Sequence, residues 1–198
     1  SEQQSPVHKA CEFARDVMQV SLSGTGVMMS DGATNILPVG PHRAPPGEHP
    51  STQHAAENRA AVHRAWKLHY EHVRHSLSRG YYQGWDLHPG QFPTRYAAMF
   101  ASYLEPLEQS TQRMRNFVDK AARATLAGDI FDDAATAQGL LTFFLRGLKC
   151  GAISRDEVLA TGLTVEEMQS RSFTKIMTDR ANAAATPAPA SPRSRRKA

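Results

Sequence analysis

The stretch Gly80-Tyr81-Tyr82-Gln83-Gly84-Trp85-Asp86-Leu87-His88-Pro89-Gly90-Gln91 lies between two long helical patterns and restricts the fold more than any other. A helix ending at Gly80, a short strand to about His88 and a new helix opening near Pro93 are expected from it. Strand periodicity puts Tyr81, Gln83, Trp85 and Leu87 on one face and Tyr82, Gly84, Asp86 and His88 on the other. Gly84 leaves room for something to approach the backbone. Two readings follow. Either a buried strand delivers Asp86 and His88 to a site at its carboxyl end, or the two side chains merely satisfy neighbouring loops.

Bulk properties narrow the class. At 198 residues, 40% hydrophobic and 21% charged, the chain has length for one domain or slightly more and the composition of a soluble globular protein. No apolar run approaches the roughly twenty residues of a membrane span, and Ser1-Glu2-Gln3-Gln4 is too polar for a secretory leader. A cytoplasmic location with no membrane partner is expected. The first residue is not Met, so a fragment or a processed product is expected too. Cys11 and Cys150 stand far apart and form no zinc or redox motif. The net charge is +4, and Arg193, Arg195, Arg196 and Lys197 alone supply that much. The remaining body is near neutral, which argues against nucleic acid as a partner.

Along the chain, Ser5-Pro6 reads as the start of a helix with an apolar stripe of Val7, Ala10, Cys11, Ala14, Val17 and Met18, ending at Gly24. Gly24-Thr25-Gly26 lacks the third glycine and the lysine of a phosphate loop. Val27-Met28-Met29 is expected as a short buried strand. It leads into Ser30-Asp31-Gly32-Ala33-Thr34-Asn35, either a ligand-presenting loop or an ordinary turn. From Pro41 to Pro50 the chain reads as an irregular loop. Ser51 to Arg79 is the longest helical pattern, with Ala55, Val62, Trp66, His69, Val73 and Leu77 on its buried side. His69, His72 and His75 tempt a zinc reading, but without an HExxH pattern or a nearby cysteine they read as solvated or capping. Beyond Pro93, Tyr96, Met99, Phe100, Tyr103 and Leu104 form a helical stripe that Pro106 kinks or restarts. The next stripe is Met114, Phe117, Val118 and Ala121. Asp132 or Asp133 caps a helix that is apolar nearly all round, from Leu140 to Leu148. Ser154…Glu157 and Thr164…Glu167 are capping boxes, the second opening a helix to about Met177. The Ala/Pro/Ser/Arg tail is expected to be disordered.

At the central stretch the sequence resembles a known family. Gly80-Tyr81 followed by Leu87-His88-Pro89-Gly90-Gln91 is similar to the last barrel strand of the citrate lyase β-subunit and hydroxy-keto-acid aldolase family, with Gly84 displaced by one position. Met18-Gln19-Val20, the run from Ser30 to Gly40, and Gly80 to Arg95 extend the likeness over roughly residues 6 to 151. The resemblance implies an α/β fragment, mostly helical: the last two βα units of a TIM-type (β/α)8 barrel of the phosphoenolpyruvate/pyruvate type, followed by a helical extension. Residues 1–105 would be the partial barrel, 106–180 the extension and 181–198 a disordered basic tail. Val27 to Met29 would be strand seven and Tyr81 to His88 strand eight.

The implied activity is that of a metal-dependent carbon–carbon lyase acting on a 2-keto acid or related acyl substrate. In the intact relative, magnesium holds the keto acid and stabilises its enolate. That family's metal-binding Glu and Asp, and its substrate-binding Arg, sit on earlier strands and map onto no residue here. The chain alone is therefore expected to be inactive and to hold no metal, and the complete protein to be a homo-oligomer. Asp31, Asp86, His88, Thr94 and Arg95 are the substrate-binding candidates. Backbone N–H groups near Phe92, Thr94 and Arg95, at a helix N-terminus, are expected to face an anion, and Arg95 either contacts that anion or pairs with a nearby acid. The rival class is a noncatalytic helical interaction module.

Overall fold

The computed structural model describes residues 5–127 and 133–185. They form eight α-helices: α1 (Lys9–Leu22), α2 (Thr52–Ser78), α3 (Phe92–Leu104), α4 (Leu107–Ala127), α5 (Ala134–Cys150), α6 (Arg155–Leu159), α7 (Val165–Gln169) and α8 (Phe173–Ala185). A 3-10 turn, Pro89–Gln91, runs directly into α3. The fold is mostly helical, and no described residue lies in a β-strand. The chain divides into two compact units, Ser1–Ser102 and Tyr103–Ala198.

In the first unit both expected strands are extended chain without a ladder. Just past the first of them, the Asp31 N–H donates to the Gln83 carbonyl in the second at 2.9 Å. A strand exists only through its pairing, and an alternating pattern cannot create the neighbour that completes it. The two expected faces do not separate by burial. Tyr81 is buried, but Trp85 and Leu87 are exposed, while Gly84, Asp86 and His88 are half-buried.

Helix α1 starts later than Ser5 and is capped by His8, whose side chain accepts from the Ala10 N–H. Its apolar stripe does not form a core. Val7, Val17 and Met18 are exposed, and the buried residue of α1 is Arg15. Ser51 caps α2 by accepting from the His54 N–H, and α2 buries Ala65, His69, His72 and Val73. His69 and His72 are thus neither solvated nor caps. The interior of this unit is polar: Pro38, Ala65, Val73, Tyr81 and Ala98 are its buried apolar residues, against Arg15, Asp31, Thr34, His69, His72 and Gln91.

The second unit has the opposite character. Met114, Phe117, Val118 and Ala121 on α4, and Leu140, Leu141 and Phe144 on α5, are buried, as are Phe173 and Ile176 on α8. Its buried polar residues are Ser110 and Thr161. Helix α4 restarts just after Pro106. Gly151, in the left-handed region at φ 78°, ends α5. Both capping boxes form, with Ser154 and Glu157 opening α6 and Thr164 and Glu167 opening α7. The helix expected to run from Val165 to Met177 is instead two helices. The break lies at Arg171, a non-glycine residue at φ 57°. Helix α8 continues to Ala185, so residues 181–185 are helical and not part of an irregular tail. Residues 186–198 lie outside the described residues.

Candidate functional site

The first unit builds its site from α2 and the two extended segments. Asp86 is shared between two partners. Its Oδ1 lies 2.9 Å from His69 Nε2, and its Oδ2 accepts from Arg95 Nε at 2.5 Å. His69 is 1% exposed. Its other nitrogen, Nδ1, lies 2.8 Å from the Thr94 hydroxyl, which also lies 3.0 Å from the Gln91 carbonyl. The hydroxyl can donate to a neutral His69 or, if the ring is protonated, accept from it and turn to the carbonyl. Burial pushes the imidazole below its ordinary value, and the Asp86 charge opposes that shift.

Asp31 anchors a second cluster. Its Oδ2 accepts from Arg15 Nη1 at 2.5 Å and from the Ser76 hydroxyl, and its Oδ1 accepts from the Gly32 N–H at 2.8 Å. Arg15 also donates to the Pro6 carbonyl and lies 3.0 Å from His75. Tyr81 donates its hydroxyl to the Arg15 carbonyl, and burial raises its phenol above the usual range. Thr34 meets His72 Nδ1 at 3.0 Å, and burial lowers the His72 imidazole. Gln91 is fully buried and couples the clusters: its carbonyl oxygen accepts from the Leu87 and His88 N–H groups, and its amide donates to the Thr34 carbonyl.

Between these clusters lies a narrow cleft, part of it open to solvent, with about 10 Å³ of room for the centre of a water-sized molecule, lined by Thr34, His72, Ser76, Gln83, Gly84 and Arg95 among others. Gly84 is what lets Arg95 lie there. A Cβ at that position would stand 3.0 and 3.1 Å from the two terminal guanidinium nitrogens.

Of the N–H groups expected to face an anion, that of Phe92 is otherwise engaged. The Phe92 N–H bonds to the Pro89 carbonyl, continuing the 3-10 turn into α3. His88 caps that turn through Nδ1, which accepts from the Gly90 N–H. Of the two readings for Arg95, pairing with an acid is observed, and the acid is Asp86. Asp86, Thr94 and Arg95 come together through His69, whereas Asp31 belongs to the other cluster.

Magnesium, which the aldolase resemblance implies, does not fit either carboxylate. All four oxygens of Asp31 and Asp86 already accept hydrogen bonds or face a ring nitrogen, and each carboxylate carries an arginine. A guanidinium in contact repels a second cation and occupies the lone pairs that an octahedral ion needs. Among the described residues no group of three or more His, Cys, Asp or Glu is placed to hold a metal ion.

A family model, described as a domain of unknown function (DUF6986), matches residues 1–176. The chain belongs to that family. No curated protein and no solved structure matches it. In this DUF6986 chain, sequence reasoning passed over Arg15, His72, Ser76 and Gln91 as site residues. One signal was available for the histidines: His69 shares a helical face with Val62, Trp66 and Val73, and a histidine on a buried face needs partners. Arg15 left no such signal, because it interrupts an apolar stripe that turned out to be exposed.

Proposed function

We propose that this chain is the carboxyl-terminal portion of a metal-dependent carbon–carbon lyase acting on a 2-keto acid or related acyl substrate. In this reading it supplies two βα units of a TIM-type barrel and a helical extension. The observation that carries the reading is the Asp31 N–H to Gln83 carbonyl bond. This bond ties the loop just past the segment proposed as strand seven to the segment proposed as strand eight, and Asp31 and Asp86 each enter a buried polar cluster. The inverted character of the first unit supports it as well. A polar interior with Phe13, Val20, Met28 and Trp85 exposed is what a sector cut from a larger barrel has, since its apolar faces belong against missing neighbours. Within that reading the metal ligands come from outside this chain. Its own residues form the wall beside the substrate, held rigid by Gln91 and His69.

The test is to assay two proteins for magnesium-dependent cleavage of 4-hydroxy-2-keto acids: this chain, and a polypeptide extended through the coding sequence upstream of Ser1. The extended protein is expected to turn over, and the chain alone is not. A folded extended protein without metal-dependent cleavage would reject the lyase assignment. Turnover by the chain alone would reject the partial-barrel assignment.

A further inference from the structure

We infer that Thr94 is an activated nucleophile, with His69 as its base and Asp86 orienting that base, in a site for small uncharged carboxylic esters. The Thr94 hydroxyl lies 2.8 Å from His69 Nδ1, and His69 Nε2 lies 2.9 Å from Asp86 Oδ1. A hydroxyl, an imidazole and a carboxylate in unbroken contact form the relay that activates a hydroxyl for acyl transfer. The two ring nitrogens have exchanged the partners they have in the serine proteases. That exchange is harmless, because a neutral imidazole has one donor and one acceptor whichever nitrogen carries the proton.

The other hydroxyls of the two clusters each lack a member. Thr34 meets His72 at 3.0 Å, but the far nitrogen of that ring faces the Ser5 hydroxyl at 3.5 Å instead of a carboxylate. Ser76 donates directly to Asp31, with no ring between them. Exposure also separates the members of the relay. The His69 and Asp86 side chains are buried, whereas Thr94 is half-buried and shares its helical face with the exposed Ala97, one turn on. The base therefore meets an incoming molecule through the hydroxyl. Arg95 balances the Asp86 charge and leaves the relay near neutral, so nothing in it selects a charged acid or a phosphate.

The chemistry balances within these groups and water. The hydroxyl turns from the Gln91 carbonyl to His69 Nδ1, and its oxygen forms a bond to the acyl carbon while the proton passes to that nitrogen. The bond to the alcohol then breaks, and the departing oxygen takes the proton back from Nδ1. Water repeats the sequence on the acyl-threonine, which releases the acid and restores the hydroxyl. Asp86 accepts from Nε2 throughout and offsets the transient charge on the ring. The charged groups facing His69 are Asp86 and Arg95, with His72 one turn along α2. Burial lowers the ring from its ordinary 6.5, so it is the free base at neutral pH.

The relay stands on its own geometry and not on the lyase reading, and its test uses the full chain without added metal. The chain is treated with para-nitrophenyl acetate and with diisopropyl fluorophosphate. Release of nitrophenolate is followed, and the modified residue is located by mass spectrometry. Both reagents are expected to mark Thr94. Thr94→Ser should still be marked, whereas Thr94→Val, which keeps the shape without the hydroxyl, should not. His69→Gln should slow the reaction about a hundredfold or more. The rate in the parent chain should be full at neutral pH and fall only below the ordinary imidazole value of 6.5, which decides the matter if His69→Gln does not fold. A folded parent in which Thr94 stays unmarked would overturn the relay. So would an unchanged rate in a folded His69→Gln variant, or a rate that keeps climbing with hydroxide concentration. None of these outcomes touches the lyase reading, which is decided on the extended protein with magnesium.

Discussion

His69 and His72 sit one helical turn apart on the buried side of α2, and both have imidazoles pushed down by burial. The groups facing them are Asp86 and Arg95 for His69, and His69, Glu71, His75 and Asp31 for His72. In the unfolded chain both return to an ordinary value near 6.5. The unfolded state therefore binds more protons in the interval between the folded and unfolded values. Stability must fall as pH drops from about 6.5 towards the folded values, and level off below them. Urea midpoints should be lower near pH 5.5 than near pH 7.5, and His72→Gln should flatten that dependence. A midpoint that holds steady or rises over this range would contradict the burial of both rings. The carboxylates of Glu157 and Glu167 are held low by Ser154 and Arg180 respectively, so their contribution is lost only at more acid pH.

Among the elements, two positions in the second unit should respond in opposite directions to simple substitutions. Gly147 lies on α5 where a Cβ would run into the Ile153 side chain and stand 3.2 Å from Tyr103. Gly147→Ala should destabilise by about 1–3 kcal/mol despite alanine's better helix propensity. Arg171 holds a left-handed conformation that costs a side-chain-bearing residue roughly 1 kcal/mol, and its carbonyl is the partner of Gln138. Arg171→Gly keeps that carbonyl bond and should raise the melting temperature by a few degrees. Thermal melts of the two variants beside the parent check both signs at once. The elements also explain what was legible in advance. Capping boxes and apolar stripes are local, so Ser154, Thr164, Met114 and Leu141 could be read directly. The Arg171 break could not, because nothing in Ser170-Arg171-Ser172 differs in kind from exposed helix. The apolar run at Val27–Met29 and the alternation from Tyr81 to His88 are strand signals, but neither supplies a partner. The same limit applies to the site. Asp86 and Arg95 are legible from local position, while His69 reaches Asp86 across 17 residues of sequence and Gln91 reaches the Thr34 carbonyl across 57.

For the molecule as a whole, the contrast between the units sets its behaviour in solution. The second unit buries most of its aromatic and aliphatic side chains, with Leu104 and Leu159 exposed. The first leaves Phe13 71%, Val20 81%, Met28 83% and Trp85 65% exposed. Phe13 and Val20 stand seven residues apart on α1, two turns along one face. An uncovered surface of this kind recruits whatever apolar partner is present. The chain by itself should associate with rising concentration in sedimentation experiments and bind a hydrophobic dye. Phe13→Glu together with Val20→Glu should return it towards the monomer. If the parent chain is monomeric and silent to the dye at all concentrations, the sector reading loses the support of that surface.

The lone backbone bond between Asp31 and Gln83 has a kinetic meaning of its own. A ladder of many rungs unzips cooperatively, but a single rung opens whenever either segment fluctuates. The Asp31 amide therefore reports the separation of the two segments, and its deuterium uptake measures how often the cleft comes apart while both helical units remain folded.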